Sequence, residues 1–129
     1  MAMQLADQVF HNQRVAPERG PIRIAQLRKD LGVSRERLAR VLDVSAKTIQ
    51  RWEEHDQLPA NKWILHVVIE LQNIADLGLL SFEPEGVAII MQRPQPVWDN
   101  KSGLQLVEEG RGDEVFGEFA GAYEGYLGT

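Results

Sequence analysis

The stretch SRERLARVLDVSAKTIQRWEE, residues 34–54, decides how this chain folds. It carries the same helix-start signal twice, eleven residues apart, as Val33-Ser34 and Val44-Ser45. A serine at such a position accepts a hydrogen bond from an otherwise unpaired backbone N–H in the first helical turn. The valine before it packs on the fourth helical residue, here Leu38 and Ile49. The spacing therefore predicts a two-turn helix over Arg35–Leu42, a tight break at Asp43, and a second helix over Ala46–Glu54. Two short helices crossing closely need a small residue between them, and Ala39 stands there. Leu38, Leu42, Val44, Ile49 and Trp52 recur at the steps of a shared apolar cluster. The break favours a left-handed backbone; Asp43 supplies it less readily than glycine. This is the layout of a helix-turn-helix, which points to nucleic acid as a partner.

Outward from this segment, Ile24, Leu27 and Leu31 place a preceding helix over about Ile22 to Leu31, stopped by Gly32. Residues 1–20 read as a loose, partly helical arm, with Leu5, Val9 and Phe10 as its weak apolar pattern. After a turn at His55-Asp56-Gln57, Pro59 stands near the first turn of a long helix. Its apolar stripe is Trp63, Ile64, Val67, Val68, Leu71, Ile74 and Ala75, and Gly78 loosens its end. Glu83-Pro84-Glu85 starts another helix, with Val87, Ile89, Ile90 and Met91 apolar. Pro94 and Pro96 make residues 93–103 a loop. Ser102 caps a short helix ending at Gly110, and Asp113 caps a last one with Val115, Phe116, Phe119, Ala120 and Tyr123 inward. No alternating strand pattern stands out. The expected fold is all-α. Its parts are an arm (1–20), a helix-turn-helix (21–58), a connecting and dimerising helix (59–80) and a C-terminal helical domain (81–129).

The net charge of −5 hides a division. Residues 19–51 hold 9 basic and 3 acidic side chains, whereas residues 61–129 hold 4 and 11. Positive charge lies over the helix-turn-helix, where DNA binding needs it. With Ile49 and Trp52 inward, the other face of the third helix carries Ala46, Lys47, Gln50 and Arg51. Glutamine reads adenine and arginine reads guanine in the major groove. Ser45, Thr48 and Arg35 are placed for phosphate. Glu53 and Glu54 beside this face would repel phosphate, and together with Asp56 they leave room for a helix-turn-helix that no longer binds DNA.

From Leu42 onward the order of features resembles the Xre/MbcA/ParS-type antitoxins of bacterial toxin–antitoxin pairs. The resemblance covers roughly residues 24–126. It rests on LDVSAKTIQRWEEHDQLP and on MQRPQPVWDNKSGLQLVEEGRGDEVFGEFAGAYEGY, above all Leu104–Gly110 and Glu114-Val115. The loop departs from the family pattern, with Arg93-Pro94-Gln95-Pro96 and Asn100-Lys101-Ser102-Gly103 in place of the usual Asn-Pro, Gly-Gly and Ser-Pro steps. The helix before it carries Ile90-Met91 rather than Trp-Leu. The resemblance implies a RES-type, NAD-consuming toxin as partner, blocked by the C-terminal domain, and an operon repressed through the N-terminal one. The acidic C-terminal half suits a basic, anion-binding cleft. Toxin contacts are then expected at Arg93, Trp98, Asn100 and Lys101 in the loop and at Tyr123, Glu124, Tyr126 and Leu127 in the tail. Trp98 has two readings: an exposed binding anchor, or a side chain closing the domain's own core.

Nothing in the sequence suggests catalysis. Glu108 and Glu109 are adjacent on a helix and point apart. Gly110-Arg111-Gly112 lacks the strand and lysine of a phosphate loop. There is no cysteine, and His11, His55 and His66 form no metal-ligand pair. No enzyme activity, cofactor or metal is expected. With neither a secretion signal nor a membrane span, the chain is expected to be cytoplasmic and to work as a homodimer on operator DNA. The competing reading is a stand-alone dimeric helix-turn-helix regulator whose C-terminal part dimerises or senses a ligand.

Overall fold

The structure, a computed structural model, describes residues 20–126. Among these residues it is built from seven α-helices: α1 (Ile24–Leu31), α2 (Arg35–Leu42), α3 (Ala46–Glu54), α4 (Lys62–Gly78), α5 (Pro84–Gln92), α6 (Gly103–Glu108) and α7 (Gly112–Tyr126). The extended backbone is limited to one isolated bridge between Gln95 and Lys101. The expected N-terminal arm, apart from Gly20, lies outside the described residues.

The duplicated start signal folds as expected. Ser34 Oγ accepts from Arg37 N and Ser45 Oγ from Thr48 N, both at 3.0 Å. Each such cap is worth about 1 kcal/mol. Asp43 closes α2 in the left-handed region at φ 56°, and its N–H returns to Ala39 O and Arg40 O. Leu38, Ala39, Leu42, Ile49 and Trp52 are all buried. Ser102 does more than cap α6: its Oγ accepts from Gln105 N while Gln105 Oε1 accepts from Ser102 N at 2.8 Å. This reciprocal box satisfies two backbone donors at once.

Two helix starts differ from expectation. The long helix starts at Lys62 rather than about residue 59, capped by Asn61: its Oδ1 accepts from Trp63 N at 2.9 Å and Ile64 N at 3.1 Å. The asparagine side chain satisfies two orphan N–H groups, which a proline ring, having no acceptor, cannot do. At the other end, α7 begins at Gly112, so Asp113 lies in its first turn. There its charge still favours the positive end of the helix dipole. Trp63 also leaves the apolar stripe and is 81 % exposed. Burial along α4 deepens only from Ile64 and Val67 to fully buried Val68, so the first turn overhangs the helices that cover the rest.

The buried side chains form one cluster running from Ile24 through Trp52 and Leu71 to Phe119. α4 packs on α7 and α1, α1 on α5, and α2 on α6, so the helix-turn-helix and the C-terminal half share this core. Gly32 marks a close junction between them. It closes α1 at φ 70°, and a Cβ there would lie 2.7 Å from the Ala88 Cβ of α5. Gln92 of α5 donates to Gly32 O across the same junction at 2.5 Å. On the far side, Arg37 of α2 meets Glu108 of α6 at 3.7 Å.

Candidate nucleic-acid and protein interfaces

Two surfaces carry the residues singled out from the sequence. On the first, α3 turns Ile49 and Trp52 inward and leaves Lys47, Gln50 and Arg51 exposed. Ala46 and Thr48 are half-buried at its N-terminal end, and Ser45 is committed to the cap, with its Oγ also 2.9 Å from Thr48 Oγ1. Seven candidates fall on or beside this helix. Six of them, Ser45 to Thr48 with Gln50 and Arg51, share one continuous stretch. The seventh, Arg35, lies at the start of α2 and is held at 2.9 Å from Glu53.

That pairing changes the meaning of Glu53. Its side chain is 7 % exposed and receives Arg28 Nε at 2.5 Å as well as Arg35. Burial pushes its carboxyl up, but hydrogen bonds and charge from Arg28 and Arg35 outweigh this and hold it below its ordinary value of 4.5. Glu53 is therefore a neutralised strut joining α1, α2 and α3, and not a free charge repelling phosphate. The expectation of repulsion fails at Glu53 because residue 53 faces α1 rather than solvent. Glu54 is exposed and accepts from Gln50 Nε2 at 2.9 Å. Asp56 adopts φ 49° and lies 3.6 Å from Arg23. The strut escaped the sequence reading because Arg28 is 25 residues from Glu53. The only signal was that Glu53 follows Trp52, itself on the inward face.

The second surface is the loop of residues 93–102. A 3-10 turn at Pro96–Trp98 is followed by Asp99 and Asn100, both left-handed at φ 53° and 63°. Gln95 O accepts from Trp98 N and Asn100 N, at 3.0 and 2.9 Å, so the loop is tightly self-bonded. Trp98 is buried, at 5 % exposure, among the core residues. Of its two readings, core closure is the one realised; as an exposed anchor it is corrected. Its neighbour Val97 is 64 % exposed and Ile89 of α5 is 45 % exposed. In a single 3-10 turn, two adjacent side chains cannot both face inward, and the larger aromatic takes the core. A groove of about 120 Å3 lies at Val97, lined also by Phe82, Ile90, Gln95, Trp98 and Phe119 among others.

Arg93 and Asn100 are exposed as expected. Lys101 is drawn into a surface chain of charges: it lies 2.9 Å from Glu109, which Arg111 approaches at 3.3 Å, and Arg111 lies 2.7 Å from Glu114. The Lys101 hydrogen bond holds the Glu109 carboxyl below its ordinary value, and the Arg111 bond does the same for Glu114. Tyr123 is half-buried against the core and Glu124 is exposed. Leu127 and the side chain of Tyr126 lie outside the described residues.

Among the described residues no group of three or more acidic or histidine side chains is placed to hold a metal ion. No helix among them is long and apolar enough to cross a membrane.

Comparison with known proteins agrees with the fold around both surfaces. The helix-turn-helix family matches residues 24–59. No curated protein sequence matches the chain. Among solved structures, the chain is similar to one in the crystal structure of the M. tuberculosis MbcT–MbcA toxin–antitoxin complex. The TM-score is 0.68 at 20% sequence identity, with 79% of this chain and 91% of that one covered. Residues 24–59 are thus a helix-turn-helix of the Xre-like kind, set within an all-helical fold shared with a chain of that complex.

Proposed function

We propose that this protein is the antitoxin of a toxin–antitoxin pair, binding operator DNA through α3 and a RES-type toxin through its C-terminal half. The observation that carries the reading is the continuity of the fold. A helix-turn-helix and a C-terminal helical part are packed on one core, in an arrangement shared over 79% of the chain with a member of a toxin–antitoxin complex. The division of labour assigns residues 21–58 to DNA and 81–129 to the toxin. On the DNA side, Gln50 and Arg51 read bases, while Lys47, Thr48, Ser45 and the α3 N-terminus meet phosphate. On the toxin side, exposed Val97 at the groove replaces Trp98 as the apolar contact, with exposed Arg93 and Asn100 in the same loop. The acidic excess of residues 61–129 complements a cleft built to hold a phosphate-bearing nucleotide. Exposed Trp63 and Leu58 near the start of α4 provide the apolar surface for a homodimer, which brings two reading helices to half-sites one DNA turn apart.

The test is co-expression with the protein encoded by the adjacent reading frame, with the affinity tag on this chain alone. A co-purified, non-toxic complex is the expected result. A neighbour that neither co-purifies nor is neutralised overturns the antitoxin reading and leaves a stand-alone regulator.

A further inference from the structure

On the outer face of α3, two exposed side chains are bonded to each other. Gln50 is already engaged: its Nε2 donates to Glu54 Oε1 at 2.9 Å, one helical turn on. A carboxamide has two N–H hydrogens and a carbonyl oxygen. The hydrogen beside the carbonyl oxygen forms, together with that oxygen, the donor–acceptor edge that matches N7 and N6 of adenine in the major groove. A free glutamine on a helix surface samples many rotamers and must be fixed before that edge can read anything.

We propose that Glu54 is a positioning residue for base reading: it takes the outer amide hydrogen of Gln50 and holds the adenine-reading edge ready. This deepens the DNA-binding proposal and rests on it. The arrangement gives Glu54 two opposed effects. Its charge weakens attraction to every phosphate nearby, whatever the sequence. Its hydrogen bond sharpens the choice of base at one position. Specificity gained at the expense of general affinity suits a repressor that must ignore most of a genome, since non-specific sites vastly outnumber the operator.

The two effects separate by substitution. Glu54→Gln removes the charge but keeps an oxygen that accepts from Gln50. Glu54→Ala removes both. The wild type, both variants and Gln50→Ala are each incubated with a randomised double-stranded DNA library, and bound sequences are counted. Affinity is then measured on the enriched duplex and on the same duplex with one A·T pair replaced. Circular dichroism confirms that each variant folds, as exposed positions allow. Both Glu54 variants should bind all duplexes more tightly. Glu54→Ala should lose about 1.5- to twofold of the adenine preference at one position, the scale of a single helix-surface pair. Glu54→Gln should keep it, and Gln50→Ala should abolish it. An undiminished preference in Glu54→Ala, or equal loss in both Glu54 variants, overturns the positioning role while leaving DNA reading intact. A wild type that enriches no sequence overturns DNA reading itself, and this inference with it.

Discussion

The outer face of α3 and the loop of residues 93–102 were both singled out from the sequence, and they turned out differently. On α3, spacing alone separated the residues that face the core from those that face out, and Lys47, Gln50 and Arg51 are exposed as the spacing requires. In the loop, Trp98 went inward, Lys101 went to Glu109, and Val97 took the outward position. A helix projects its side chains at a fixed angle per residue, so one known inward residue orients all the others. A loop has no such period. Each side chain there goes where local bonds and volume send it, and the most conspicuous residue is the one the core claims first.

Trp98→Ala tests the sharpest side of that contrast. It should cost about 3–5 kcal/mol, the usual scale for removing a buried large aromatic. Because the core is shared, loss of α1–α3 helicity and loss of the C-terminal helices should coincide in one urea transition followed by circular dichroism. A midpoint like that of the wild type would return Trp98 to the surface.

Arg51→Ala tests the helical side. It should leave stability within about 0.5 kcal/mol and weaken binding to a selected operator duplex by about 1–3 kcal/mol, with specificity relaxed at one base pair. Uniform weakening across all sequences would reassign Arg51 to phosphate.

Glu53→Gln probes the strut beneath the reading face. Removing a charge-assisted acceptor whose side chain is buried should cost about 1–2 kcal/mol near neutral pH. The sign of its pH dependence follows from the lowered folded value. The stabilisation is complete above the unfolded carboxyl's range, near 4.5, and is lost as pH falls through the folded value below it. Acid titration of urea midpoints should therefore show the wild type losing its advantage over Glu53→Gln in that window. Parallel curves would mean that Arg28 and Arg35 do not hold the carboxylate.

Val97→Asp gives the smallest effect on the isolated protein. Stability should change by less than about 0.5 kcal/mol, while affinity for the co-purified partner should fall by about 1 kcal/mol or more. Calorimetric titration of the two proteins reads it, and unchanged affinity would move the contact away from the loop.

What was legible divides along the same line. The helix-turn-helix could be read almost to the residue, because Ser34, Ser45, Gly32 and the Val33 and Val44 staples are local signals. Ser102 was found for the same reason. Asn61 was overlooked because a nearby proline offered a simpler start. The Glu53 strut and the Gln72 amide, which is buried and donates to Asp30 and Asp76 at 3.0 Å, depend on partners far apart in the chain or across helices. No periodicity announces such pairs. The overhang of Trp63 depends on where neighbouring helices begin, which the pattern of α4 by itself does not encode.

The junction at Gly32 has a genetic consequence. The first helix of the DNA reader ends against Ala88 and is bonded to Gln92, both in the other half of the gene product. A frameshift or nonsense mutation upstream of codon 88 leaves the reading helix encoded but its scaffold missing. Such an allele should behave as a simple null, recessive to an intact copy, and not as a fragment that occupies DNA and poisons it. For the same reason, recombination that trades only the first 60 codons between distant relatives must also match a glycine to the alanine that covers it.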